Sequence, residues 1–564
     1  MSDVLPSRTG GHLIVEALEA NGVERVFCVP GESYLDVLDA LHDSAIPVTV
    51  ARHEGGAAMM AEAWGKMAGK PGICFVTRGP GATNAAAGLH VAMQDSTPMI
   101  LFIGQVGREM REREAFQEID YRRMFGDVVK WVAEIDDASR IPEFLSRAFH
   151  VATSGRPGPV VLALPEDMLR DLSSVPSVGA SEPIETYPGL TQTAQLQKML
   201  WKAERPLLVL GGSRWSDQAI NSMQRFAERF DLPVGVSLRR QGLFDHEHPN
   251  FAGEVGIAIN PALAKRVKEA DLLILVGGRM SEMPSSGYTL LDIPQPKQTL
   301  VHVHGGSDEL GRVYRPTLAI NATPNGFAAQ LEAVHPPATI PWSAETRAAN
   351  ASYRDWSDPK PRDVGGVEMG AVMRTLRENL PKDAILTNGA GNYANWVHRY
   401  HRFQGSKTQL APTSGSMGYG VPAAIAAKLR YPERTVIAFA GDGCFQMTSN
   451  EFGTAVQDGA AILVIVVDNG MYGTIRAHQE RSYPDRVEAT KLVNPDFADF
   501  ARAYGGHGET VERTEDFWPA FARAQESGKP AIVHVKVDPQ AISPSATLDE
   551  LKGKSLKVKP VSRR

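Results

Sequence analysis

Asp442, held between Gly441 and Gly443, and Asn469, 27 positions further on, have residue types and a spacing that point to one piece of chemistry. A carboxylate and a carboxamide are hard oxygen donors, suited to Mg²⁺ or Ca²⁺ rather than to zinc. The flanking glycines let the backbone turn tightly and come close to an anion. Together these features describe a metal-bridged phosphate group held at strand ends. That chemistry requires both residues to reach the same edge of one sheet. The apolar run 435–440 leads into Gly441, the run 462–469 closes on Asn469, and 447–457 between them is long and mixed enough for a crossover helix. A β–α–β unit makes the two strands parallel and brings both carboxyl ends to one edge, where open α/β sheets bind ligands. By itself Gly-Asp-Gly is an ordinary turn. The strand before it, the helix after it and the amide at the next strand end set it apart.

In the first third of the chain, the run 48–51 passes through Arg52-His53-Glu54 into a helix that begins with Gly55-Gly56-Ala57-Ala58. A glutamate there can serve simply to complement the positive end of a helix dipole. With a partner motif elsewhere it becomes a candidate acid–base group. Val76-Thr77-Arg78-Gly79-Pro80-Gly81-Ala82-Thr83-Asn84 is a glycine-rich strand-to-helix turn. It lacks the Lys-Ser/Thr of a P-loop, which disfavours a nucleoside triphosphate site.

Taken in order, these motifs resemble the thiamine diphosphate-dependent enzymes of the acetohydroxyacid (acetolactate) synthase and pyruvate oxidase superfamily, and the likeness runs through nearly the whole chain. The resemblance implies that Asp442, Asn469 and the backbone carbonyl of Met471 hold Mg²⁺ on the cofactor's diphosphate, with Gly441 and Gly443 beside them. Gly391-Asn392 would form the diphosphate-side loop, although Asn392-Tyr393 stands where the group has Gln-His. Met417 would support the bent cofactor, and Glu54 would hydrogen-bond the aminopyrimidine and promote its imino form. Gln117 and Lys130 match positions on the substrate side. His478 falls where synthases acting on pyruvate carry tryptophan, so His478 and its neighbour Arg476 become candidate substrate or proton-transfer groups. Arg279 matches an arginine that contacts the second substrate, but Met280-Ser281-Glu282-Met283 departs from the group's Phe-Asp-Asp-Arg. FAD is a candidate ligand of the middle segment, the alternative being a domain that only packs. The group builds each site from Glu54 of one subunit and Asp442 of another, which implies a homodimer or homotetramer. The implied activity is a carboligase of acetolactate-synthase type: it decarboxylates a 2-oxo acid and adds the enamine to an acceptor carbonyl. Alternatives are a simple 2-oxo-acid decarboxylase or aldehyde lyase, and a catalytically silent ligand-binding homologue.

The elements that must position these residues read as α/β, in three doubly wound parallel-sheet domains in series. The expected bounds are 1–175 for a pyrimidine-binding domain, 190–333 for a central nucleotide-type domain and 360–545 for a diphosphate-binding domain. The links between them are rich in Ser and Pro. A length of 564 residues suits three cores, and 43% hydrophobic with 22% charged residues is globular composition. A net charge of −6 without a basic stripe argues against nucleic acid as the main partner. The basic tail Lys552 to Arg564 is expected to be a solvated end. Three scattered cysteines, Cys28, Cys74 and Cys444, suggest a reducing compartment and no disulfide. There is no apolar stretch of signal-peptide or membrane-span type, so a cytoplasmic protein is expected.

Overall fold

Strands buried on both faces must read as continuous apolar runs, and such runs build three six-stranded sheets in which all neighbouring strands are parallel. The computed structural model describes residues 6–362 and 364–557. It divides into two compact units, one holding the chain to 244 together with 248–351, the other holding 245–247 and the chain from 352 onward.

The first unit contains two of the sheets. One is made of Val26–Cys28, Val48–Val50, Gly72–Val76, Met99–Gln105, Trp131–Glu134 and Pro159–Pro165. Numbered in chain order, its strands lie 2-1-3-4-6-5 across the sheet. The other is made of Pro206–Leu210, Val234–Ser237, Phe251–Val255, Leu272–Val276, Thr299–Val303 and Leu318–Ile320, in the order 3-2-1-4-5-6. That is the doubly wound order of dinucleotide-type sheets. The sheet of the second unit comprises Ile385–Asn388, Gln409–Leu410, Val436–Gly441, Leu463–Asp468, His507–Val511 and Ala531–Lys536. Its order, 2-1-3-4-6-5, repeats that of the first sheet. In both, the order reverses between strands 1 and 3, so the crevice expected to take a ligand opens there.

Helices next to the first sheet are made of small residues because they are squeezed. Glu54–Ala68 is buried along nearly all its length and packs on Pro80–Asp95. A Cβ on Gly88 would come within 2.4 Å of the Ala58 Cβ. The helix starts with the His53 ring accepting the Gly55 N–H at 3.0 Å and stops at Gly69, where φ is +67°.

Several expectations are corrected. The crossover after Gly441 is not one helix over 447–457 but two short ones, Asp442–Gln446 and Glu451–Gln457. Between them the Thr448 hydroxyl donates to the Gly418 carbonyl at 2.6 Å, a side-chain bond that competes with helix continuation. The strand before Asn469 ends at Asp468. The basic tail is not simply a loose end, since Leu548–Lys557 is helical and Lys552 pairs with Asp485; the remainder, including Lys559, Arg563 and Arg564, lies outside the described residues. All three cysteines are free and buried. Among the described residues no helix is long and apolar enough to cross a membrane.

Candidate active site

In the second unit, Gly441 lies opposite Val467 in parallel register, so both strands end at one level and Asp442 and Asn469 follow at the same sheet edge. The Gly391-Asn392 loop follows strand Ile385–Asn388, on the other side of the reversal in strand order. Close approach requires glycine at Gly473, where a Cβ would sit 2.5 Å from Asn392 Oδ1 and 2.9 Å from Asn469 Nδ2. Asn392 is fixed by donating from Nδ2 to the Ile542 carbonyl at 3.1 Å, and Asn469 Oδ1 accepts the Met471 N–H at 3.1 Å. Under this floor the Tyr393 hydroxyl accepts the Gly389 N–H at 3.0 Å and meets Cys444 Sγ at 3.2 Å. Cys444 is thus a buried packing and hydrogen-bonding residue.

Asp442 is buried, and among the described residues no Lys, Arg or His pairs with it. Its Oδ1 accepts the Gly443 N–H at 2.9 Å and its Oδ2 accepts Asn494 Nδ2 at 2.8 Å. Burial pushes its carboxyl up to about 6, the two hydrogen bonds oppose this, and the charge of Asp468 adds to it. Burial acts on Asp468 too, but hydrogen bonds from His534 and the Gly470 N–H carry it below the ordinary carboxylate value. A buried carboxylate lacking a cationic partner and a carboxamide are hard oxygen donors of the kind that suits Mg²⁺. Among the described residues there is no cluster of three His, Cys, Asp or Glu side chains to compete with them.

The first unit carries Glu54. Glu54 opens its helix half-buried, and its Oε2 accepts Asn84 Nδ2 at 2.9 Å. Gly81 lets the second helix come close, since a Cβ there would lie 3.3 Å from Glu54 Oε1. Arg78 ties down the loop that carries Gln117, donating to the Phe116 carbonyl at 3.2 Å and to Glu166 at 3.2 Å. Gln117 itself has φ of +66°, presses its Cβ and carbonyl against Gly79, and keeps a buried Oε1 without a hydrogen-bond partner among the described residues.

The remaining expected residues fall out differently. Met417 is half-buried against the core of its unit. His478 is exposed on Gly473–Ser482, with Arg481 Nη1 3.4 Å from its Nδ1. Arg476 is spent on Glu480 of the same helix, at 2.8 Å. Lys130 caps the end of Ile141–Thr153 by donating to the Val151 carbonyl and, at 2.7 Å, to Ser154, and burial lowers its ammonium to about 8. In the middle sheet the strand-end glycines close on each other: a Cβ on Gly212 would lie 2.2 Å from the Gly277 carbonyl oxygen. The arginines there serve protein carbonyls, Arg279 that of Gln94, Arg240 that of Asp95 and Arg214 that of Thr153, at 2.8, 2.8 and 3.0 Å. Sequence reasoning missed Asn84, Asp468, Asn494 and His534. The Asn84 signal was present in the helix-start motif; the other three have no local signature.

Family comparison agrees with this layout. Residues 8–124 match the thiamine pyrophosphate enzyme N-terminal TPP binding domain, 193–331 its central domain and 389–535 its C-terminal TPP binding domain. The acetolactate synthase isozyme 2 large subunit of Escherichia coli K12 is 30% identical over 535 residues, covering 94% of this chain and 95% of that protein. The acetolactate synthase large subunit of Corynebacterium glutamicum is 31% identical, covering 93% of this chain and 86% of its own length. A probable acetolactate synthase large subunit of Methanocaldococcus jannaschii is 30% identical, with 95% and 93% covered. With its three sheets matched in order and relatives aligned over nearly their whole length, the chain belongs to the thiamine pyrophosphate (thiamine diphosphate) enzyme family.

Proposed function

We propose that the chain is a thiamine diphosphate-dependent carboligase of acetolactate-synthase type, which removes CO₂ from a 2-oxo acid and joins the remaining acyl unit to an acceptor carbonyl. What supports this is the parallel register of Val436–Gly441 with Leu463–Asp468, which ends the strands before Asp442 and Asn469 at one sheet edge, with Asn392 and Asn469 both against Gly473. The names of the relatives support the reaction class.

Asp442, Asn469 and the Met471 carbonyl would hold Mg²⁺, with Gly391, Gly441 and Gly443 beside the diphosphate. Asn392 would lie there too, and Met417 would support the cofactor between its rings. Bound thiamine diphosphate supplies a carbon nucleophile and an electron sink for loss of CO₂. Glu54 holds a proton for the pyrimidine: Asn84 occupies Oε2, and Oε1 is the oxygen left to exchange it. Gln117 offers its unpartnered amide to the substrate side, and His478, being exposed, can pass protons to bulk water. The site is completed between subunits of a homodimer, alone or doubled into a tetramer, in the cytoplasm. The three domains run over 1–175, 190–333 and 360–545. In the middle domain the strand-end glycines pack on each other and Arg279 reaches a protein carbonyl, and no step is routed through a flavin.

The test is incubation with pyruvate, thiamine diphosphate and Mg²⁺, with separate assays for acetolactate and acetaldehyde. Acetolactate, lost on Glu54→Gln, supports the reading. Acetaldehyde alone replaces it with a decarboxylase or lyase, and no CO₂ from any 2-oxo acid replaces it with a silent homologue.

A further inference from the structure

We propose that Asn494, itself held by Asp468 and His534, is the positioning residue for Asp442, fixing the orientation of the carboxylate that takes the divalent cation. This rests on the reading that Asp442 and Asn469 hold that cation.

One amide nitrogen makes the connection. Asn494 Nδ2 donates to Asp442 Oδ2 and to Asp468 Oδ1, both at 2.8 Å, so both amide hydrogens are used and the amide plane has a single orientation. The Asn494 carbonyl accepts Gln446 Nε2 at 3.0 Å, which excludes the flipped amide. Asp468 is fixed in turn. Its Oδ1 also accepts the Gly470 N–H at 2.9 Å, and its Oδ2 faces His534 Nε2 at 2.8 Å. Because the acceptor is a carboxylate, Nε2 is the protonated nitrogen of that ring. His534 is 2% exposed, pairs with Val466 in the strand register and has its ring against Phe497 at 5.0 Å, so it has no freedom to swing away.

The choice of an amide has a physical reason. Two carboxylates at neighbouring strand ends repel each other, and something must hold them in place. A lysine or arginine at 494 would do so by neutralising Asp442, which would remove the charge the cation needs. A neutral donor with two hydrogens holds both carboxylates and leaves the charge of Asp442 available. Outer partners of this kind orient a metal ligand, and losing one typically weakens metal binding about 10- to 100-fold.

The test is Mg²⁺ titration of the cofactor-free protein at fixed thiamine diphosphate, read by tryptophan fluorescence, beside the melting temperature of the protein without ligands. Asn494→Leu is expected to weaken Mg²⁺ binding about 10- to 100-fold with little change in melting temperature; Asn494→Ser reads the same loss if the leucine variant does not fold. His534→Leu is expected to weaken binding less, and His534→Gln, which keeps a donor, to restore it. A change of twofold or less in both Asn494 variants, while Asp442→Ala abolishes the signal, overturns the positioning role. Parental Mg²⁺ affinity in Asp442→Ala overturns the metal-site reading beneath it.

Discussion

Gly473→Ala adds one methyl group at the point where the two sides of the diphosphate site touch. Its Cβ would lie 2.5 Å from Asn392 Oδ1 and 2.9 Å from Asn469 Nδ2, so the nearer atom must retreat by about half an ångström to reach the closest separation that real side chains show. Neither asparagine can yield freely. Asn392 would stretch its 3.1 Å bond to the Ile542 carbonyl, and Asn469 its 3.1 Å bond from the Met471 N–H. Overpacking of this sort costs about 1–3 kcal/mol. Because part of the strain falls on Asn469, it should appear as weaker Mg²⁺ binding, by up to about 150-fold. The assay is half-saturating Mg²⁺ at fixed thiamine diphosphate, with Gly189→Ala as the control, since a Cβ there meets nothing nearer than 3.6 Å. Mg²⁺ affinity within twofold of the parent, with an unchanged melting temperature, would refute the claim that Asn392, Asn469 and Gly473 form one tightly packed site.

Glu54→Gln should keep Mg²⁺ and thiamine diphosphate binding and lower kcat about 10²- to 10⁴-fold, as loss of a positioned acid–base group does; a kcat within tenfold of the parent would remove Glu54 from the chemistry. Glu254 offers a pH test in the first unit. Burial raises its carboxyl from 4.5 to about 7, against the Arg239 N–H that donates to it at 2.7 Å. It therefore binds its proton more tightly folded than unfolded, so its share of the stability, about 3 kcal/mol, is present below pH 4.5 and lost as pH rises to about 7. Glu254→Gln should flatten that slope and raise the melting temperature at pH 8 relative to the parent; an unchanged slope would contradict it.

The central strands were legible because their burial is written in their composition: Leu272–Val276 and Met99–Gln105 are buried along their whole length. Some of the outer strands were not. Trp131–Glu134 is only partly buried, and Phe251–Val255 holds a glycine and Glu254, which read as loop. In the candidate site, Asp442 and Asn469 were legible because strand, turn and helix punctuate them locally. Asn494 was hidden, since Asn494-Pro495-Asp496 reads as the start of Phe497–Ala503, and Asp496 does cap that helix at 2.8 and 3.0 Å. His534 sits in an apolar strand, where nothing marks its contact with a residue 66 positions earlier. Lys130 and Arg476 show the opposite failure. Their positions matched a site pattern, but a helix end and Glu480 engage them instead.

We propose that two residues far apart in the chain, Glu54 and Asp442, serve one cofactor across a subunit boundary. Co-expressing Glu54→Gln with Asp442→Ala tests this directly. Each variant alone should be nearly inactive in cofactor-dependent CO₂ release from its 2-oxo acid. Random pairing makes half of the dimers hybrid, each with one intact site of two, so the mixture should recover about a quarter of the parental activity. A mixture no more active than the two variants measured separately would contradict a site shared between subunits.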